Sequence, residues 1–264
     1  MMTVPAFRSR KASGKPLVVL TAYDAMTTAA AEAAGVDALL VGDSLGMVEL
    51  GYDSTLPVTM DDMVHHAKAV SRLRREALLI VDMPWLSYHV GVIAAVENAA
   101  RFVREARADA VKIEGGRNRL EVVQALLDAE IPVMGHLGLT PQSVLKMGGY
   151  KVQGRAKDAA DVLVADAEGL AEAGVFSIVL EGIPSELAAR VSAAVAVPTI
   201  GIGAGPNCDG QVLVIHDMLG MLPGPVPKFV RRYADLHAIS TEAIRRWADD
   251  VRAKTFPSSE ETYG

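Results

Sequence analysis

The chain has little from which to build a covalent or aromatic framework. Cys208 is the only cysteine in 264 residues, so an intrachain disulfide and a cysteine-based metal site are both excluded. Phe, Trp and Tyr together make up 5% of the sequence, which leaves Ala, Val, Leu and Ile to fill the core. No apolar stretch approaches the ~20 residues that a membrane-spanning helix requires. A nucleic-acid footprint is missing too: the formal net charge is −6, and no long run of Lys and Arg offsets it. The one short basic cluster, Arg8-Ser9-Arg10-Lys11, reads as a solvated tail. The first residues lack the charged-then-apolar order of a secretory signal. The expectation is a cytoplasmic protein with neither a membrane nor a nucleic-acid partner. No linker-like stretch interrupts the chain, so 1–264 reads as one domain, with a polar lead-in over about 1–16 and a helical C-terminal segment over about 228–254.

What the sequence does have is one arrangement repeated. Val36 to Val41 is an apolar run that empties into Gly42-Asp43-Ser44. Ala77 to Val81 ends at Asp82, and Asp109 to Ile113 ends at Glu114. Ile131 to Gly135 ends at His136, and Val175 to Leu180 ends at Glu181. Short apolar runs of this kind suit strands buried on both faces. Leu17 to Leu20, Val197 to Ile200 and Val212 to Ile215 complete a set of eight. Ala-rich helical stretches lie between them, closing at glycines such as Gly35 and Gly174. Eight strand–helix units in about 250 residues, each strand ending in a polar group, predict an α/β fold of the (β/α)8 barrel type.

Chemistry is therefore expected at the C-terminal strand ends. Strands in a barrel lie about 4.8 Å apart, so Asp43, Asp82 and Glu114 can converge on one volume. Three carboxylates that close repel one another, and a hard cation such as Mg²⁺ relieves the repulsion; helix capping is the plainer alternative for each. Lys112 stands two residues before Glu114 and so shares its face of the strand. It serves either as a cation for a substrate oxygen or as an internal ion-pair partner. Glu181, across the barrel in a mostly apolar mouth, suits a general base, with capping again the alternative. His136 is either a donor to substrate or a satisfied core histidine. His65 and His66 read as packing or solvated residues, the Gly201 to Gly205 loop as a weak phosphate motif, and Cys208 is given no role.

At these residues the chain resembles the ketopantoate hydroxymethyltransferase family. The resemblance runs from about Thr21 to Lys228. It is carried by Thr21-Ala22-Tyr23-Asp24, Val41 to Met47, Asp53 to Thr59, Val111 to Gly116, Gly135 to Ser143, Gly148 to Gly154 and Gly201 to Gly205. It implies a barrel of the phosphoenolpyruvate/pyruvate type with bound Mg²⁺. The implied reaction is transfer of a one-carbon unit from 5,10-methylenetetrahydrofolate to a 2-oxo acid. By resemblance Asp43 and Asp82 are metal ligands with Glu114 in the metal's surroundings. Asp43, Ser44, Asp82, Lys112 and His136 contact substrate, and Glu181 is the catalytic base. A homo-oligomer, decameric in the family, is implied as well. Two departures, Tyr52 and Trp85-Leu86, bear on pocket shape. The rivals are a Mg²⁺-dependent 2-oxo acid lyase of the same superfamily, for which Cys208 offers no suitable loop, and a non-catalytic binding barrel, which the intact carboxylate set disfavours.

Overall fold

The computed structural model describes residues 1–263. Where the sequence is read as one domain, the structure forms two compact units, Met1–Val214 and Ile215–Gly264. In the first, α1 (Val4–Ser13), β1 (Leu17–Thr21), α2 (Ala25–Ala34), β2 (Ala38–Val41), α3 (Leu45–Val48) and α4 (Met60–Leu73) follow one another. Next come β3 (Leu78–Asp82), α5 (Val92–Ala106), β4 (Ala110–Glu114), α6 (Leu120–Asp128), β5 (Val133–Gly138), α7 (Val144–Met147) and α8 (Lys157–Ala173). β6 (Ser177–Glu181), α9 (Ser185–Ala194), β7 (Thr199–Ile202) and β8 (Gly210–Leu213) complete it. All eight strands are parallel and close into a (β/α)8 barrel, β8 pairing back onto β1. The second unit holds α10 (Ile215–Leu219) and α11 (Leu236–Ala253).

The alternation of side chains along each strand sorts the barrel interior into layers. Val19, Leu40, Ile80, Ala110, Met134, Val179, Ile200 and Val212 belong to the buried apolar cluster that fills its lower part. Two residues further along their strands the same face carries Asp82 above Ile80, Lys112 above Ala110, His136 above Met134 and Glu181 above Val179. The apolar floor thus supports a polar storey.

Several elements differ from their sequence-based expectation. Residues 4–13 of the expected polar lead-in form α1. The Thr3 side chain accepts from Ala6 N, Pro5 sits in the first turn, and Arg10 and Lys11 occupy the last turn, where the helix dipole favours cations. Phe7 is fully buried, its ring edge-on to Phe176 with centroids 5.6 Å apart. The basic cluster is no free tail either: Arg10 pairs with Asp37 at 3.0 Å and Lys11 with Asp209 at 2.8 Å. β7 begins at Thr199 rather than Val197, because Pro198 has no N–H to give the ladder. β8 begins at Gly210 and ends at Leu213, so His216-Asp217 lies in α10 and not at a strand end. In the second unit the helix starts only at Leu236, where the Asp235 side chain caps it by accepting from Ala238 N. No helix among the described residues is long and apolar enough to cross a membrane.

Candidate active site

Register places the polar residues as a rising series around the mouth. Asp82 lies level with Lys112, Glu114 with His136, and Gly138 with Glu181. Asp43 follows β2 by two residues. Asp43, Asp82, Lys112, Glu114 and His136 are each no more than 5% exposed, and the Glu181 side chain is 17% exposed. Lys112 Nζ is 3.0 Å from Asp82 Oδ1, and Asp82 Oδ2 accepts the backbone N–H of Asp43 at 3.2 Å. The ammonium also lies 3.2 Å from His136 Nδ1. The other imidazole nitrogen, Nε2, is 3.2 Å from Glu181 Oε2, and Glu114 Oε1 is 3.5 Å from Nδ1. An ammonium can only donate, so in the neutral ring Nδ1 is the acceptor and Nε2 carries the proton, close to Glu181 but without a well-directed hydrogen bond to it. All six strand-end residues singled out in the sequence are therefore joined in one network.

Burial opposes the charge on Lys112, but Asp82, Glu114 and Asp43 outweigh it and raise its pKa above the ordinary value; Lys112 is an ammonium. Burial, followed by the Asp82 and Glu114 carboxylates, pushes Asp43 well above the usual carboxylate range, against the pull of Lys112 and Gln142. At His136, burial and the Lys112 charge push downward, while contacts with Glu114 and Glu181 carry the net shift upward.

The crowding of acids around one ammonium bears on a cation. Among the described residues no group of three or more His, Cys, Asp or Glu side chains forms a metal cage. The donor set nonetheless fits Mg²⁺, which is usually held by one or two carboxylates and completes its shell with water and substrate. Asp43 and Asp82 are neighbouring oxygen donors of that kind. Asp82 Oδ1, though ion-paired with Lys112, is buried without a well-directed hydrogen bond.

Three residues of the site carry no role in the sequence reading. Tyr23 places its hydroxyl 2.8 Å from Ser44 Oγ. Gln142 touches Asp43 Oδ2 through its side chain at 2.8 Å and Glu114 Oε2 through its backbone N–H at 3.0 Å. Tyr88, buried beneath the Arg119 guanidinium, gives its hydroxyl proton to Gln142 Oε1 at 2.7 Å. Burial, with the Glu114 charge, holds its pKa well above the ordinary value, so it stays a phenol. Their partners lie 21 to 99 residues away in the chain, beyond any local spacing signal. Of the residues given no chemical role, His66 lies 2.7 Å from Tyr23 O through Nδ1, and burial raises the pKa of the Cys208 thiol. The mouth is flanked by the Gly-rich loop after α7, where Tyr150 reaches Met47 Sδ at 3.9 Å. Gly138 is a tight point: its φ is +94°, and a Cβ there would lie 2.2 Å from Glu181 O.

A closed (β/α)8 barrel whose strand ends gather carboxylates, an ammonium and an imidazole in one buried network defines an enzyme that works on a small molecule at its C-terminal face. Solved structures with the same fold include 2,3-dimethylmalate lyase, at TM-score 0.63 and 18% identity over 99% of this chain and 92% of that one. Phosphonopyruvate hydrolase, in a complex with oxalate and Mg²⁺, matches at TM-score 0.63 and 16% identity over 99% and 93%. The family model described as ketopantoate hydroxymethyltransferase matches residues 1–259. A 3-methyl-2-oxobutanoate hydroxymethyltransferase of Syntrophomonas wolfei is 54% identical over 99% of this chain and 95% of its own length. A second relative, 3-methyl-2-oxobutanoate hydroxymethyltransferase 2 of Bradyrhizobium diazoefficiens, is 55% identical over 99% and 89%. The chain belongs to the ketopantoate hydroxymethyltransferase family.

Proposed function

We propose that this chain transfers a hydroxymethyl group from 5,10-methylenetetrahydrofolate to 3-methyl-2-oxobutanoate, forming 2-dehydropantoate for pantothenate and coenzyme A synthesis. Beside the family membership, one observation carries the reading. A carboxylate, Glu181, and an ammonium, Lys112, flank the two nitrogens of a single buried imidazole, His136. A base and a cation so separated suit removal of a proton next to a keto group. Glu181 takes the C3 proton, and Lys112 faces the charge that develops on the keto oxygen. His136 holds both groups in place, and Ser44, aligned by Tyr23, contacts the substrate. Water cleaves both C–N bonds to the folate methylene, releasing tetrahydrofolate and a formaldehyde equivalent. The enolate carbon attacks that carbonyl carbon, and the alkoxide formed takes up a proton to give the hydroxymethyl group. Asp43 and Asp82, with Glu114 behind them, would hold Mg²⁺, which when bound supplies Lewis-acid polarisation of the keto group. The reading includes a cytoplasmic homo-oligomer. In support, α11 buries none of its residues and leaves Ile244 63% and Trp247 55% exposed, an apolar stripe suited to association between copies.

The test is proton exchange. Incubated in D₂O with 3-methyl-2-oxobutanoate and Mg²⁺ but no folate, the protein should erase the C3 proton signal in NMR spectra, whereas Glu181→Gln should not. Exchange no faster than with Mg²⁺ alone would overturn the proposal.

A further inference from the structure

We propose that Gln142 is a positioning residue: it fixes the Asp43 and Glu114 carboxylates relative to each other, so that cation affinity and proton removal both depend on it. The inference rests on the reading of this site as a cation-assisted enolising one.

Gln142 is 6% exposed and lies in the short 3-10 turn Pro141–Ser143, directly after β5. Asp43 lies two residues beyond β2 and Glu114 ends β4, with β3 between the two strands, so neither direct strand pairing nor sequence proximity sets their separation. Gln142 does. Its backbone N–H donates to Glu114 Oε2 at 3.0 Å, and its side-chain Nε2 donates to Asp43 Oδ2 at 2.8 Å and to Met83 O at 2.9 Å.

Chemistry fixes which way the amide points. Met83 O can only accept, so the group facing it is the NH₂. At the other end, the Tyr88 hydroxyl oxygen accepts the Glu114 backbone N–H at 3.1 Å, leaving its single proton for Gln142 Oε1 at 2.7 Å. Both N–H donors and the carbonyl of the amide are engaged, so it cannot flip without losing all three bonds. The result is a directed chain from Glu114 N–H through Tyr88 and Gln142 to Asp43, in which each bond polarises the next. With Oδ2 of Asp43 committed to Gln142, the carboxylate is held in one rotation and its other oxygen is the one left for a cation. Removing such a hydrogen-bond partner of a metal-binding carboxylate commonly costs about 10–100-fold in metal affinity or activity.

The competing role is structural: a buried amide that only satisfies its neighbours would matter for folding alone. Gln142→Met separates the two, since it keeps the length of the side chain and the backbone donor to Glu114 while removing the amide. Mn²⁺ binding to the substrate-free protein is followed by the EPR signal of the free ion. C3 exchange is then measured at saturating Mn²⁺, and KM for the folate in full turnover. The expected result is Mn²⁺ binding weakened about 10–100-fold, exchange slowed at least tenfold, and a folate KM within about twofold of wild type. If Gln142→Met does not fold, as judged by circular dichroism, Tyr88→Phe removes only the bond that orients the amide. It should shift both readouts the same way, by about threefold or more. A folded variant with lower thermal stability but wild-type Mn²⁺ affinity and exchange would overturn the proposal and leave the enolising reading standing. Wild-type protein that neither binds Mn²⁺ nor exchanges the proton would overturn both.

Discussion

Replacing Lys112 by Met should destabilise this protein far more than its side-chain volume accounts for. Lys112 and Asp82 are 3.0 Å apart with side chains only 6% exposed. Met fills much the same space, so the loss is of charge rather than of packing. Removing one partner of a buried pair leaves the other uncompensated and costs about 3–5 kcal/mol. Here the upper half of that range applies, because Asp43 and Glu114 also act on the ammonium. Unfolding entropy near 2.1 cal/mol/K per residue gives about 0.55 kcal/mol/K for 264 residues. The melting temperature should therefore fall by roughly 7–9 °C. The assay is differential scanning calorimetry in EDTA near neutral pH, repeated with excess Mg²⁺. Added cation should recover part of the loss, since it would stand in for the missing positive charge. The sign with pH is fixed as well. Lys112 has a raised folded-state pKa, so its contribution is complete below the ordinary lysine value of about 10.4 and fades only as pH rises through the folded value. The titration of Lys112 itself therefore adds no pH dependence to the gap across the neutral range. A melting temperature within about 2 °C of wild type in EDTA would refute the claim that the ammonium holds the acids together.

Other outcomes follow from other parts of the structure. Phe7→Ala empties a fully buried site against Phe176 and should cost about 3–5 kcal/mol in urea unfolding, while C3 exchange per folded molecule stays unchanged. Gly138→Ala places a methyl group 2.2 Å from Glu181 O at a φ of +94°. It should slow C3 exchange per folded molecule at least tenfold and also lower stability substantially, because the atom met is backbone and the positive φ strains any Cβ; wild-type exchange would show that Glu181 is not held from that side. Glu32 accepts the backbone N–H groups of Arg75, Glu76 and Ala77. Burial works against its charge, but those bonds prevail and lower its pKa. Its stabilisation is therefore present above the ordinary carboxylate pKa and lost as pH falls through the folded value. Glu32→Gln should cost about 0.5–1 kcal/mol at neutral pH, with no difference from wild type in acid.

The strand ends were legible because two periodicities coincide there. An apolar run that stops at Asp82 or Glu181 marks both a buried strand and its exit, and the two-residue repeat alone puts Lys112 beneath Glu114. What local pattern does not carry is contact across the chain. Phe7 reads as an isolated aromatic in a polar lead-in until Phe176, 169 positions later, packs against it. Gln142 likewise sits inside a stretch quoted for the family resemblance without any role, because its partners come from the end of β4 and from the segments just after β2 and β3. Boundaries shifted where a single local hydrogen-bond group decides them, the missing N–H of Pro198 before β7 and the capping side chain of Asp235 at α11.

The stepped register of β3 to β6 has a consequence for how such a protein can change over time. Because side chains alternate along a strand, a slip of one residue in β4 would turn Lys112 and Glu114 out toward the surrounding helices and bring Val111 and Ile113 into the mouth. One deleted codon would thus remove a cation and an anion from the mouth together and bury both against the helix layer. Changes in length have to be taken up between the strands instead, in segments such as 49–59 and 148–156 that border the mouth without belonging to the ladder. A lineage built on this frame can revise what it admits much more readily than how its acids and base are paired.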